Sequence, residues 1–119
     1  MTIDPFLRRM DRPTFMRLAD EAIRRVEDWL EDFDPDEVDF ASADGVLKIQ
    51  FANGPTFVFN RQTAADQMWY AAGVRAWHYV YDDASGDWLC DKDGHELFAK
   101  IGETVSDQLG RAVTVPPSA

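Results

Sequence analysis

A chain of 119 residues has room for one hydrophobic core, and with 45% apolar and 13% aromatic residues it is no disordered acidic tail, despite a formal charge of −10. Fixed negative charge opposes nucleic acid backbones and anionic membranes, so cations and basic protein surfaces are the partners that composition favours. The single cysteine, Cys90, excludes an internal disulfide framework and fits a reducing compartment, and no apolar run approaches membrane-spanning length.

Residues 1–13 mix Arg8, Arg9 and Arg12 with Asp4 and Asp11 and lack the apolar segment of a secretory signal. They read as an N-terminal extension to a single domain over residues 14–119. Phe15, Leu18, Ala19, Ala22, Ile23, Val26, Leu30 and Phe33 then step by three and four, which predicts a helix over about 14–33, with Thr14 as its N-cap and Pro35 beyond its end. From Val38 the period changes to two. GVLKIQF and FANGPTF, with Asn53-Gly54 between them, predict a hairpin, and QMWYAA, AWHYVYDD and GDWLCD predict further strands joined by short turns. No crossover helix is available for parallel pairing, so the sheet is an antiparallel meander of about six strands. Leu97, Phe98, Ile101, Val105 and Leu109 return to helical spacing between His95 and about Arg111. The predicted fold class is α+β: a two-layer sandwich with both helices on one face of the sheet and the other face open to a partner.

Charge is concentrated. Residues 20–44 hold eleven of the twenty-two acids and only Arg24 and Arg25 as basic residues. Within EDWLEDFDPDEVD, residues 27–39, Glu27 and Glu31 lie four apart on the helix, as do Asp28 and Asp32, so like charges meet on neighbouring turns about 5.4 Å apart. Asp34, Asp36, Glu37 and Asp39 carry the cluster through the loop into the first strand. Repulsion within pairs, and negative charge toward a helix C-terminus, both oppose folding. A solvated helix face is the plain explanation. The sharper one is a ridge that attracts hard cations through oxygen ligands and basic proteins through its field. It lacks the central glycine and terminal glutamate of a dedicated calcium loop, so any metal site there is shallow and weakly selective.

NRQTAADQMW, residues 60–69, together with RLADE, DGVLKIQF, NGPTFVFNRQ and GDWLCDKDG, closely resembles the frataxin family, particularly its bacterial members, from about Arg17 to Val115. The resemblance implies the frataxin fold, which agrees with the layers derived above. It also implies an iron-binding protein of iron–sulfur cluster assembly that engages the cysteine desulfurase and the scaffold protein, supplying iron or regulating sulfur transfer. Carried over by position, the iron-binding and docking ridge comprises Glu27, Asp28, Glu31, Asp32, Asp34, Asp36, Glu37 and Asp39. The partner-binding sheet surface corresponds to Asn60, Gln62, Gln67 and Trp69. Iron as Fe2+ or Fe3+ would be held weakly on surface carboxylates, with other divalent cations competing. The implied state is a monomer that iron can drive into oligomers, in the bacterial cytoplasm; a mitochondrial matrix location is less favoured because no transit peptide is seen.

Read without the family, Trp69 is either an exposed interface anchor or a core residue, since its strand has period two and tryptophan is highly buried on average. Arg61 serves a partner or decorates a turn. Arg24 and Arg25 interrupt the acidic helix as partners for Asp20, Glu21 or Asp28, and Trp29, Trp77 and Trp88 read as structural. Cys90, in an alternating strand, reads as a buried small hydrophobe. His78 and His95 are seventeen positions apart with no second cysteine, a spacing that gives zinc or a preformed cluster little support, and either is at most an auxiliary iron ligand. No phosphate loop, GxSxG elbow or HExxH motif is present, and no catalytic residue is assigned. The alternative to the adaptor is a ferroxidase or iron-storage protein acting independently of the desulfurase. A third class, an acidic nucleic-acid mimic that blocks a basic protein, is disfavoured by the NRQTAADQMW match.

Overall fold

The structure, a computed structural model, describes residues 10–117. The part of the expected extension that covers residues 1–9 lies outside the described residues. Helix α1 (Arg12–Leu30) is followed by strands β1 (Val38–Ala43), β2 (Val46–Phe51), β3 (Thr56–Gln62), β4 (Gln67–Ala72), β5 (Arg75–Asp82) and β6 (Asp87–Cys90), then helix α2 (Leu97–Leu109). A single 3-10 turn, Thr63–Ala65, links β3 to β4.

The first helix begins two residues before the expected start. Asp11, not Thr14, is its N-cap: the Asp11 carboxylate accepts from the Thr14 backbone N–H at 2.8 Å, and a proline stands in the first turn, where its missing N–H costs nothing. The turn 12–14 carries no apolar stripe, which is why periodicity did not register it. At the other end the helix stops at Leu30, and Phe33 returns from the following turn to pack edge-on against Trp29, with ring centroids 5.1 Å apart.

The six strands form one antiparallel sheet in the order β1-β2-β3-β4-β5-β6. Asp44 and Gly45, at φ 54° and 77°, close the β1–β2 hairpin, as a two-residue turn with left-handed residues requires. A Cβ at Gly45 would also stand 2.5 Å from the Arg61 guanidinium, which would have to shift. Arg61 passes under this turn, donates its backbone N–H to the Gly45 carbonyl and pairs through its side chain with Asp20 of α1 at 2.8 Å. Its role is to tie the hairpin to the helix.

Period-two alternation puts Leu47, Ile49, Phe51, Phe57, Phe59, Met68, Tyr70, Tyr79, Trp88 and Cys90 on the inner face. There they meet Phe15, Ala19, Ile23, Val26 and Leu30 of α1 and Leu97, Ile101 and Val105 of α2 in one core. Buried polarity is satisfied: the Tyr70 hydroxyl meets Thr104 Oγ1 at 2.6 Å, and that hydroxyl reaches the Lys100 carbonyl at 2.9 Å. Glu96 caps α2 by accepting from the Phe98 and Ala99 N–H groups, and Gly110, at φ 73°, ends it. The architecture is the expected two-helix, six-strand α+β sandwich, with the outer sheet face left uncovered by either helix.

Candidate functional site: an acidic ridge and an open sheet face

The last two turns of α1, the loop after it and the start of β1 form a continuous carboxylate surface. Asp28, Glu31, Asp32, Asp34, Asp36 and Asp39 are exposed, and Glu27 and Glu37 are half-buried. Helical periodicity separates the two populations on α1: Val26, Trp29 and Leu30 turn inward, leaving Glu27 and Asp28 on the outer side, and Glu31, the C-cap, and Asp32, in the turn beyond the helix end, follow them exposed.

The eight are not equivalent. Glu27 accepts from the Ser42 hydroxyl at 3.0 Å, joining the helix to β1. Asp34 accepts from the Asp36 N–H at 2.9 Å and shapes the loop, while Asp39 accepts from the Phe40 N–H at 2.9 Å. Glu37 is held by both terminal nitrogens of Arg111, at 2.7 and 2.8 Å, and these bonds keep its carboxyl below the usual range. Its charge is neutralised locally. Asp28 and Asp32 face an open groove of about 560 Å³ shared with Glu21, Arg24, Arg25 and Pro116. The arginines of α1 do not serve as the pairing pattern suggested: Asp20 pairs with Arg61, Glu21 with Arg17 at 3.2 Å, and Arg25 donates to the Pro116 carbonyl at 2.9 Å while its guanidinium lies over Phe98. The free charge therefore gathers at Asp28, Glu31, Asp32, Asp34, Asp36 and Asp39, toward the helix C-terminal end.

Asn60, Gln62, Gln67 and Trp69 share the outer face of β3 and β4, where Asn60 pairs with Trp69 and Gln62 with Gln67 across the strands. Trp69 is not a core residue. It is half-buried and lies flat on His78 of β5, ring centroids 4.3 Å apart and planes 12° from parallel, while its indole N–H donates to Gln67 Oε1 at 2.8 Å. The stack and the hydrogen bond fix the indole in one orientation with one ring face free of His78. Exposed Val80 and half-buried Leu89 sit on the same face beside it, so an aromatic centre is flanked by amides and small apolar groups. Asp39 also points outward on edge strand β1, which brings the ridge to the margin of this face.

His78 was not foreseen as a member of this surface. The signal was in the sequence: a two-residue turn at Gly73-Val74 sets the β4–β5 register and pairs residue 69 with residue 78. Trp29 and Trp88 are buried and Trp77 half-buried, all on the inner side. No helix among the described residues is long and apolar enough to cross a membrane.

Comparison with known proteins gives one family. Residues 8–111 match the model of the frataxin-like domain. The protein of Azotobacter vinelandii named iron-sulfur cluster assembly protein CyaY is 36% identical over 102 residues, spanning 86% of this chain and 92% of the relative. Frataxin from Psychromonas ingrahamii, of the CyaY protein family, superposes with a TM-score of 0.81 at 26% identity, covering 91% of this chain and all of that structure. The sandwich, its strand order and these matches along most of the sequence lead to one assignment: this chain belongs to the frataxin family.

Proposed function

We propose that this protein is an iron-binding adaptor and regulator of iron–sulfur cluster assembly, with iron held as cargo on the ridge and the ridge docking on a basic surface of the cysteine desulfurase. The name of the Azotobacter vinelandii relative supports the process. The observation that carries the finer reading is the run of exposed carboxylates from Asp28 to Asp39 that no ion pair among the described residues neutralises, Glu37 excepted. Oxygen ligands on a convex, hydrated surface bind hard cations weakly and exchange them readily, which suits delivery more than storage. The same charges raise the encounter rate with a basic partner and make binding salt-sensitive.

The sheet face supplies the second contact, to the scaffold protein, through Trp69 as anchor with Asn60, Gln62 and Gln67 around it. An oriented aromatic ring with nearby amides loses little entropy on docking. Because Asp39 lies on the margin of that face, one assembly can touch both surfaces.

The test is desulfurase binding by the wild type and by a variant with Glu27, Asp28, Glu31 and Asp32 changed to Lys, at low and moderate salt, with the fold of each checked by circular dichroism. Salt-sensitive binding that charge reversal abolishes is the expected result. A wild type that does not bind the desulfurase but consumes Fe2+ with oxygen would overturn the adaptor reading in favour of independent iron oxidation or storage.

A further inference from the structure

The corner between β6 and α2, at the sheet edge opposite β1, brings together three metal-ligating side chains that the ridge does not use. Cys90 ends β6, the chain turns back through Gly94 at φ 76°, and two backbone bonds, Cys90 N–H to the His95 carbonyl at 2.8 Å and Gly94 N–H to the Cys90 carbonyl at 3.0 Å, fold residues 90–95 into a tight loop. Inside it the Cys90 sulfur, an Asp93 carboxylate oxygen and a His95 ring nitrogen all lie within 4.8 Å of one another. Cys90 is buried, His95 is half-buried and Asp93 opens to solvent, so the loop has a closed floor and one accessible side.

A second observation points the same way. His95 Nδ1 meets Asp93 Oδ1 at 2.6 Å, and Nε2 meets the hydroxyl of fully buried Tyr79 at 2.7 Å. The ring is held at both nitrogens, with Nδ1 on the Asp93 carboxylate and Nε2 on a buried outer partner, as an outer hydrogen bond orients a metal-bound imidazole.

We propose that Cys90, Asp93 and His95 form a binding site for one divalent ion of the zinc or cobalt type, distinct from the ridge. Bond lengths of about 2.0–2.3 Å put tetrahedral ligand atoms roughly 3–4 Å apart; the His95–Asp93 pair opens from its 2.6 Å contact to admit the ion, and the other separations, all within 4.8 Å, change little. Sulfur, nitrogen and oxygen donors together select a borderline ion over calcium or magnesium, and zinc over ferrous iron. The ion takes the place of the proton between Nδ1 and Asp93. The neutral imidazole then carries its proton on Nε2 and donates it to the Tyr79 oxygen, and the Cys90 thiol releases its proton to solvent. Water from the Asp93 side fills the fourth position.

Cobalt is the probe, because a cobalt–thiolate bond produces a near-ultraviolet charge-transfer band that oxygen ligands cannot give. Titrating the metal-free full chain with Co2+ is expected to produce this band with one equivalent, and Zn2+ to bleach it. Cys90→Ser should abolish the band. Asp93→Asn, at an exposed position that leaves the fold intact, should weaken binding at least tenfold, and Tyr79→Phe should weaken it about tenfold while keeping the band. Glu31→Gln with Asp32→Asn, a change confined to the ridge, should leave the position and saturated amplitude of the thiolate band as in the wild type. If folded wild type gives no thiolate band at saturating Co2+, or if Asp93→Asn titrates like wild type, the site does not exist.

Discussion

Arg111 holds Glu37 with both terminal nitrogens, at 2.7 and 2.8 Å, and so fastens the chain just beyond α2 to the turn that opens β1. One carboxylate of the ridge is thereby committed to the fold. Arg111→Gln should release it, lowering Tm slightly while strengthening binding of divalent cations to the ridge, since a fixed cation has been removed from its field. Calorimetric titration with Fe2+ under anaerobic conditions, beside a thermal melt, separates the two effects.

The same clamp has a pH signature. The Glu37 carboxyl is depressed chiefly by its hydrogen bonds from Arg111, from an ordinary value of 4.5. A depressed carboxylate contributes stability that is fully present above its unfolded pKa and is lost as pH falls through the folded one. The Tm difference between wild type and Arg111→Gln should therefore be constant near neutrality and shrink below about pH 4.5. A difference that persists unchanged to about pH 2.5 would show that the clamp contributes through packing alone.

Trp69 and His78 make the third prediction. Because the indole sits outside the core, Trp69→Ala should leave Tm nearly unchanged yet weaken scaffold binding about tenfold or more, the usual effect of losing an aromatic anchor. His78→Ala keeps the indole but removes the ring beneath it, and should cost less binding while altering the Trp69 fluorescence. Equal losses in the two variants would mean that the stack, not the indole alone, is the recognised unit.

How much of this could be read beforehand depends on distance along the chain. The helix stripes and strand alternation are local, and they placed both helices and the whole meander, because a one-residue slip would turn Leu47, Ile49 and Phe51 outward together. The ridge was equally local. What escaped were choices between equivalent local options and pairings made across the fold. Asp11 and Thr14 are both competent caps, and the earlier start is marked only by Pro13 in the first turn, which an apolar stripe does not register. Period two says that Trp69 alternates with its neighbours, not which face is covered. Arg111 and Glu37 lie 74 positions apart, Arg61 and Asp20 lie 41 apart, and the meeting of Tyr79 with His95 depends on how β6 turns into α2. No periodicity carries that information.

Crowded charge should make stability depend on salt. At about 10 mM ionic strength the Debye length is about 30 Å and the exposed carboxylates from Asp28 to Asp39 repel one another across the ridge; at about 150 mM it is about 8 Å and much of that repulsion is screened. Glu31→Gln with Asp32→Asn should raise Tm at low salt by more than at moderate salt, and Mg2+ or Ca2+ should raise the wild-type Tm at low salt by more than it raises that of this variant. Equal Tm values for wild type across the salt series would remove repulsion as a determinant of stability.

The Tyr70–Thr104 bond offers the last prediction, inside the core. Thr104 Oγ1 has a single proton and gives it to a helix carbonyl, at Lys100 or Ile101, so Tyr70 must be the donor in the 2.6 Å contact between them. Thr104→Val keeps the shape but leaves a buried tyrosine hydroxyl unpaired, at a cost of about 1–3 kcal/mol. Tyr70→Phe deletes the donor and leaves Thr104 bonded to its own helix, so it should cost less. The double variant buries no orphan and should be more stable than Thr104→Val alone, a reversal that urea melts at neutral pH would resolve. Strict additivity would place the Tyr70 hydroxyl in contact with water instead of with Thr104.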